Sequence, residues 1–576
     1  MRRVVLALAA LALASAAYAQ STPGLVALTD MGSATYRGYD GGLYGGGLNV
    51  PPPAHLAAAL SRAAEIVPRD ASGMPDPNGW IGFIAVGMSN TTHEFGAFER
   101  DADLDTTRNA RVVLMDTGFG GMSADVIANP AAPYWTTMNQ RVAAMGLTAA
   151  QVQVAWLKEA FPMPANDFPV HALALRDSIA RICRNLHDKF PNLKIVYLSS
   201  RIYGGYQGPG GTNPEPQAFE SGYSVRWLIE QQIAGDPSLN HDPDVGPVRA
   251  PLLLWGPYLW ANGTTPRADG LTWPITDLET DRVHPAPSGE QKVSGLLRAF
   301  FASEPTAASW WPATTGTRLR VFEATDDAHV SSAFPATNYG GSTLLYASQG
   351  SDVRSIVVKF DTHALADSVL LAKLSLRVLT IGGGQLRRLD DPAWSEATIT
   401  FANAPAFGPL LATPPQSSRD GTWGVNVTPT ILANADGYPG FALTTPTINP
   451  TDYWSKEGGH APRLVLVVTS PATAGVSTNE PAGRGARWLR TLGPNPTPGA
   501  VRLAAVLPRA CDVELAVFAV DGRRVRTLAR EHRAAGEHVL GWDGRDERGA
   551  PAAPGLYLVR LRAAGHAEAL RLVRTR

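Results

Sequence analysis

Ser89, Asp281 and His284 are the residues whose types and positions fit a chemical reaction. Ser89 stands two residues after the apolar run IGFIAVG, and Asp281 precedes His284 by three residues in DRVHPAPSGEQK. A serine hydroxyl becomes a useful nucleophile when a base removes its proton, and a histidine base works better when an acid fixes its tautomer. The three residues therefore predict an acyl-transfer site. The alternative is that Ser89 is an ordinary turn serine, because the Asp-x-x-His spacing also occurs at Asp326 and His329.

The elements that must position these residues are strands alternating with helices. Each predicted strand is a nearly continuous apolar run, which is typical of strands covered on both faces. The five runs are 81–87, 111–116, 152–157, 193–199 and 251–256. Apolar residues recur at helical spacing between 175 and 190, and Ser288 with Gln291 has the spacing of a helix start. The pattern predicts a mostly parallel α/β sheet over residues 24–305, with helices on both faces.

Ligands of such a sheet bind beyond the carboxyl ends of its strands. Ser89 follows the first run, and the glycine-rich loop DTGFGG, which ends at Gly121, follows the second. Glycine lets a backbone N–H come close to a reacting oxyanion. This loop lacks the residue spacing of a nucleotide-binding loop. Two adjacent residues, His93 and Glu94, are too few to form a metal site. We therefore expect no cofactor and no metal.

In this order, the three blocks resemble the SGNH (GDSL-type) hydrolase superfamily over residues 24–305. The resemblance implies a flavodoxin-like three-layer α/β fold and hydrolysis of esters of lipids, carbohydrates or small acyl groups. It assigns Ser89 as the nucleophile, His284 as the general base and Asp281 as the acid that orients His284. Gly121, together with the backbone N–H of Ser89, would donate to the oxyanion.

The sequence departs from the pattern of this superfamily in two places. Gly-Asp-Ser is replaced by Gly87-Met88-Ser89, and Lys158 with Glu159 stands where the asparagine of Gly-x-Asn-Asp is expected. An Asn-Asp pair occurs only at 166–167, about eight residues later. Loss of one oxyanion donor lowers the rate of other hydrolases about 10²- to 10³-fold. We consider Lys158 as a substitute donor.

Three further residues are expected to contact the substrate. Asn90 is next to Ser89, and Arg201 and Tyr203 lie in the loop SSRIYGGYQGPGG that follows the fourth run. Their position beyond the carboxyl ends of the predicted strands is the reason for this expectation.

The middle of the chain reads as a β-sandwich, because short β-branched segments alternate with turn residues. The segments DAHVSSAFPATNYGGSTLLYAS, RSIVVKFD, WSEATITFANAPAFG and YWSKEGGHAPRLVLVV occur in that order between 317 and 469. They resemble DNRLRE domains, β-sandwich modules of secreted bacterial proteins that are associated with polysaccharide. The resemblance implies that this domain binds glycan.

The last part of the chain is again rich in strands. A linker over 470–486 precedes residues 487–576, which contain VRLAAVL, VELAVFAV, WDGRDERG and LYLVRLRA. This part resembles the immunoglobulin-like domain of flagellar hook-capping proteins and the C-terminal sorting domains of type IX secretion. The resemblance implies a small Ig-like β-sandwich that contacts export or sorting machinery.

Composition and the N-terminus restrict the location and the partners. The net charge of −1 over 576 residues gives no indication of nucleic acid binding, and two cysteines exclude a disulfide framework. Residues 1–19 combine a basic start, an apolar stretch and a small-residue cleavage site, which predicts a signal peptide. No later run reaches the roughly 18 apolar residues of a membrane span. A secreted or cell-surface protein is expected.

Two functions remain open from the sequence. The first is a secreted serine ester hydrolase that forms a Ser89 acyl-enzyme on ester-bearing polysaccharide or a small ester. The second is a non-catalytic cell-surface protein that binds glycan through a divergent SGNH fold. A hydrolase must bring the hydroxyl of Ser89 within hydrogen-bond reach of a His284 nitrogen, whereas a binding protein need not.

Overall fold

The computed structural model of the chain divides into two compact units, Met1–Ala472 and Thr473–Arg576. The residues it describes are 22–163, 166–208, 211–391, 393–434, 437–469, 488–491, 497, 499–507, 509–519, 523–564 and 566–574. The predicted signal peptide and the predicted linker over 470–486 lie outside these residues. Within these ranges, no helix has the length and apolar character needed to cross a membrane.

Five parallel strands form the sheet of the N-terminal α/β domain, in the order β4-β3-β5-β6-β7. The strands of this domain are β1 (Thr35–Tyr36), β2 (Tyr39–Asp40), β3 (Ile81–Gly87), β4 (Val112–Met115), β5 (Val152–Lys158), β6 (Ile195–Ser199) and β7 (Leu252–Trp255). Every residue of the five sheet strands is buried, as their continuous apolarity predicts. The first strand of the sheet along the chain lies between the second and the third, which is a flavodoxin-like order with a switch point at β3 and β5.

Helices cover this sheet, with α3 packed against α8 and α6 against α7. The helices are α1 (Leu28–Met31), α2 (Pro53–Ala64), α3 (Ser89–Ala102), α4 (Ala124–Ile127), α5 (Pro133–Ala144), α6 (Val170–Lys189), α7 (Gln217–Ile233) and α8 (Pro287–Ser303). The predicted parallel α/β domain is therefore confirmed. The helix predicted at Ser288 begins one residue earlier, and the Ser288 hydroxyl donates to Asp277 instead of capping the helix.

The middle domain is a sandwich of two antiparallel sheets, which confirms the predicted β-rich architecture. One sheet has the order β15-β14-β18-β11-β9 and the other β17-β12-β20-β8. The elements are β8 (Thr317–Glu323), β9 (Asp326–Ser331), β10 (Leu344–Ala347), β11 (Arg354–Lys359), β12 (Val369–Arg377), β13 (Ile381–Gly382), β14 (Gln385–Leu389), β15 (Phe407–Ala412), β16 (Ser417–Ser418), β17 (Thr422–Asn426), α9 (Thr428–Ala433), β18 (Gly440–Thr444), β19 (Thr451–Trp454) and β20 (Arg463–Thr469). Alternate residues of both sheets face a shared apolar core.

Buried ion pairs join the α/β domain to this sandwich within the first unit. The ammonium of Lys373 on β12 donates to Glu99 on α3 at 2.9 Å and to Asp103, the residue that follows α3, at 2.5 Å. Arg377 at the end of β12 donates to Glu290 on α8 at 2.9 Å. All of these side chains are at least 94% buried. Because removal of one partner of a buried pair costs about 3–5 kcal/mol, these contacts hold the two domains in one arrangement.

The second unit is a smaller sandwich with sheets of order β21-β22-β25 and β24-β23-β26-β27. Its strands are β21 (Leu489–Thr491), β22 (Val501–Leu507), β23 (Cys511–Ala519), β24 (Arg524–Arg533), β25 (Gly536–Trp542), β26 (Gly555–Ala563) and β27 (His566–Arg574). Trp542 and Tyr557 pack edge to face in its core, with ring centroids 5.0 Å apart.

Candidate functional site

Ser89 lies at the tight turn where β3 ends and α3 begins. Gly87 has a φ of 155°, and a Cβ added there would lie 2.4 Å from the carbonyl oxygen of Lys158. Only glycine fits this close approach of β3 to β5. The turn places Ser89 as the first residue of a 14-residue helix, beyond the carboxyl end of the sheet.

His284 and Asp281 complete a hydrogen-bonded chain to Ser89. The Nε2 atom of His284 lies 2.8 Å from the Ser89 hydroxyl oxygen, and its Nδ1 atom lies 2.7 Å from Oδ2 of Asp281. The other carboxylate oxygen of Asp281 accepts the backbone N–H groups of Val283 and His284, at 2.8 and 3.0 Å. The loop therefore fixes both the acid and the imidazole. Ser89 is brought to them across 195 residues of sequence.

The electrostatics suit a base at His284. Partial burial raises the pKa of Asp281, but hydrogen bonds from the backbone and ring of His284 outweigh this effect and hold the pKa below its ordinary value. Asp281 is thus ionised where it faces the imidazole. The ring of His93 stacks on that of His284 with centroids 5.0 Å apart. Burial and the neighbouring His284 lower the pKa of His93 well below its usual value, so His93 is neutral and does not repel a positive charge on His284.

The glycine-rich loop lies beside Ser89, because a Cβ added at Gly120 would be 3.8 Å from the Cβ of Ser89. Gly121 lines the same cleft as Ser89 and has a φ of 77°, which glycine adopts without strain. The preceding N–H, that of Gly120, donates to the hydroxyl of Ser418 in the middle domain at 2.7 Å. The role of Gly121 as an oxyanion donor, which the family resemblance implies, stays a prediction.

Lys158 does not reach the cleft, which corrects its predicted role as a substitute oxyanion donor. Its ammonium donates to both carboxylate oxygens of Glu94, and both side chains are buried beneath the site. A buried ammonium without a partner would be costly, and the ion pair with Glu94 removes this cost. Asn166 does not supply the missing amide either, because it is exposed and is not part of the cleft lining.

The three predicted substrate contacts have different positions. Asn90 lines the cleft and donates its amide to the Val283 carbonyl at 2.8 Å, so it also holds the loop of His284. Arg201 is 4% exposed and lines the cleft, and its guanidinium makes no hydrogen bond or ion pair within the described part of the chain. Tyr203 was predicted wrongly. It is buried, pairs with Thr22 at 3.1 Å, and does not line the cleft.

The cleft has two lobes that meet at Ser89 and His284. One lobe, of about 290 Å³, is lined by the α/β domain alone and includes Gly121, Ser123 and Arg201. The other, of about 270 Å³, lies between the α/β domain and the middle domain. The middle-domain residues that line this second lobe are Thr380, Ile381, Gln416, Ser417, Ser418 and Arg419. The sequence analysis missed them, because they carry no motif and lie about 100 or more residues after His284.

A cluster of possible cation ligands borders the second lobe. Ligand atoms of His93, Glu279 and Asp420 lie within 4.8 Å of one another. The guanidinium of Arg419 contacts Glu279 at 2.7 Å and Asp420 at 3.1 Å. Arg377 also contacts Asp420, at 3.5 Å. Because guanidinium groups already pair with both carboxylates, we assign no cation to this cluster.

Two parts of the sequence match known domain families. Residues 319–469 match carbohydrate-binding module family 96, and residues 496–566 match the FlgD Ig-like domain. The first match supports the predicted glycan-binding character of the middle domain, and the second confirms an Ig-like domain in the C-terminal part. The protein is therefore multidomain, with both matched domains after the α/β domain.

Similarity to individual proteins is partial. A gellan lyase from a Bacillus species is 35% identical over 104 residues, which are 17% of this chain and 4% of that protein. PorZ, a surface component of the type IX secretion system of Porphyromonas gingivalis, is 17% identical over 22% of this chain and 15% of its own, with a TM-score of 0.13. A β-glucuronidase of Parabacteroides merdae is 12% identical over 42% and 29% of the two chains, also at 0.13. TM-scores this low do not show a shared fold.

Proposed function

We propose that this protein is an extracellular serine ester hydrolase that acts on acylated carbohydrate. The observation that carries the proposal is the chain of hydrogen bonds from Ser89 through His284 to Asp281, at 2.8 and 2.7 Å. A turn serine without a chemical role needs neither this alignment nor a carboxylate fixed by two backbone N–H groups. The flavodoxin-like strand order supports the SGNH resemblance, because Ser89 then lies at the switch point.

The proposed reaction is acyl transfer in two steps. The Ser89 hydroxyl attacks the ester carbonyl while Nε2 of His284 takes its proton, and the backbone N–H groups of Ser89 and Gly121 donate to the oxyanion. Collapse of the tetrahedral intermediate releases the alcohol, which receives the proton from His284. Water then attacks the acyl-enzyme with His284 again as the base, so that the free acid leaves and the Ser89 hydroxyl is restored. Asp281 holds the required tautomer and stabilises the imidazolium in both steps.

Four features support a carbohydrate substrate outside the cell. The middle domain matches a carbohydrate-binding module family. The matched Bacillus protein is called a gellan lyase, so the similar segment belongs to a protein that acts on a polysaccharide. The predicted signal peptide over residues 1–19 directs the chain to export, and the Ig-like domain is proposed to contact surface or sorting machinery.

A non-catalytic glycan-binding protein is the second candidate. It is favoured by the pairing of Lys158 with Glu94, because this pairing removes Lys158 as a replacement for the missing oxyanion asparagine. In this case the hydrogen-bonded serine would be a remnant of an ancestral hydrolase, and the carbohydrate-binding module would carry the function.

Labelling with a fluorophosphonate distinguishes the two candidates. We expect the purified chain to be labelled, and Ser89→Ala and His284→Ala to abolish labelling. Ser123→Ala is the matched control, because this second serine lines the same lobe but its hydroxyl donates to Asp125. A folded wild-type protein that stays unlabelled would refute the hydrolase. Labelling that survives Ser89→Ala would refute the assignment of the nucleophile.

A further inference from the structure

The middle domain contributes to the cleft as well as to the surface of the protein. The lobe between the two domains begins at Ser89 and His284 and ends on residues 380–381 and 416–419. Ile381 pairs with Ser418 across the short strands β13 and β16, so the two segments form one ledge. Ile381 is 45% exposed and lines this lobe, so it offers an apolar surface to a molecule bound in the cleft.

The same ledge contacts both loops that carry the proposed chemistry. The hydroxyl of Ser418 accepts the N–H of Gly120, next to the candidate oxyanion donor. Arg419 contacts the carboxylate of Glu279, whose backbone N–H donates to the carbonyl of His284 at 2.9 Å. The ledge therefore touches the glycine-rich loop on one side and the loop of the histidine on the other.

The ledge is held in place by buried contacts between the domains. Arg141 on α5 donates to the backbone carbonyl of Gln416, and the backbone N–H of Thr422 donates to Asp116 at 3.3 Å. Lys373 and Arg377 add the buried ion pairs described above. A wall fixed by such contacts can orient a substrate without first paying for an ordering step.

We propose that this ledge, residues 380–381 and 416–419, is the glycan-facing wall of the catalytic cleft. The inference rests on the proposed function and specifies it: the substrate is an acylated oligosaccharide or polysaccharide whose sugar lies against the carbohydrate-binding module at Ser89. The module then positions the scissile ester directly, in addition to any attachment to polysaccharide elsewhere on its surface. The lobe with Gly121 and Arg201 accommodates the acyl group.

The test narrows the lobe and compares two esters. Ile381→Trp and, independently, Gln416→Trp would fill the space of a sugar ring. Ile448→Trp is the matched control, because Ile448 is 77% exposed in the same domain and does not line the cleft. The kcat/KM values for O-acetylated xylohexaose and 4-nitrophenyl acetate are measured for each variant. Ile381→Trp and Gln416→Trp should lower the ratio of the two values about tenfold or more, and Ile448→Trp should leave it unchanged.

A ratio that stays at the wild-type value in both cleft variants overturns the proposal. An equal loss on both esters also overturns it, because the substitution then acts on the serine rather than on the sugar. If the wild-type chain hydrolyses neither ester and is not labelled, the proposed hydrolase function is refuted independently of the glycan-facing wall. Binding of the same hexasaccharide then tests the wall: a Kd weakened about tenfold in the cleft variants supports it, and an unchanged Kd overturns it.

Discussion

Asp281→Asn should inactivate the protein by imposing the wrong tautomer on His284. In the wild type, one carboxylate oxygen accepts two backbone N–H groups and the other accepts the N–H at Nδ1 of His284. An asparagine must keep its oxygen on the two backbone donors, so its NH₂ group faces Nδ1. Nδ1 then has to accept, the proton moves to Nε2, and Nε2 can no longer take the proton of Ser89.

The expected loss of activity follows from the solvent exposure of the Asp281–His284 pair. A wrong tautomer beside a buried acid lowers kcat about 10⁴-fold. The Asp281 side chain is 41% exposed, so water replaces part of what the carboxylate supplies. We therefore expect kcat/KM to fall about 10³-fold, which is about 4 kcal/mol of transition-state stabilisation. Asp281→Ala removes the carboxylate without imposing a tautomer, and should be about tenfold less severe than Asp281→Asn.

The assay is the steady-state hydrolysis of 4-nitrophenyl acetate, and Ser89→Ala gives the background rate. Asp512→Asn is the matched control, because Asp512 pairs with His532 at 2.9 Å in the other compact unit. It should retain full activity. If Asp281→Asn stays within about threefold of the wild type, or is no worse than Asp281→Ala, the tautomer reasoning is refuted.

Three further predictions concern the turn, the acyl lobe and the stability of the middle domain. Gly87→Ala should lower fluorophosphonate labelling more than about tenfold, since its Cβ would press on the carbonyl of β5, whereas Gly295→Ala on the exposed side of α8 should label normally. Equal labelling would contradict this. Arg201→Gln should lower the ratio of kcat/KM for 4-nitrophenyl hemisuccinate to kcat/KM for 4-nitrophenyl acetate about tenfold. The reason is that the buried guanidinium of Arg201 lines the cleft and can pair with the free carboxylate of the hemisuccinate. An unchanged ratio would contradict this prediction. Burial, with Arg354 nearby, lowers the pKa of His329 from 6.5 to about 4, so the unfolded chain binds more protons between these values and stability falls as the pH falls. Protonation of His329 should therefore lower the free energy of unfolding by about 2 kcal/mol between pH 8 and pH 5, as measured by urea titration. In His329→Gln this contribution should be absent, so the variant should lose about 2 kcal/mol less than the wild type over the same range. Equal losses in the wild type and the variant would contradict this prediction.

Local sequence patterns were sufficient for the five sheet strands and for two helices of the α/β domain. The five apolar runs coincide with β3 to β7 because strands buried on both faces tolerate few polar side chains. The apolar residues at helical spacing between 175 and 190 lie along α6, because a helix that is buried on one face carries apolar residues at this spacing. Polarity and spacing along the chain are properties that a sequence shows directly.

The sequence also indicated the candidate triad, but not that its members meet. The pair Asp326 and His329 has the same spacing as Asp281 and His284, yet His329 stacks on Tyr339 with centroids 4.5 Å apart and Asp326 contacts Lys359. Spacing alone does not distinguish a base from a buried ring. Only packing decides which pair faces a serine.

What the sequence by itself determined is the alternation of strands and helices, the sandwich character of the later parts, and a serine, a glycine loop and an Asp-x-x-His segment at the ends of successive elements. Tertiary structure alone decided that Lys158 is neutralised by Glu94, that Tyr203 is buried, and that Ser418 and Arg419 of another domain border the cleft. The physical reason is that periodicity and turn chemistry act over a few residues. Contacts between residues hundreds of positions apart depend on how whole domains pack, and no local pattern records that packing.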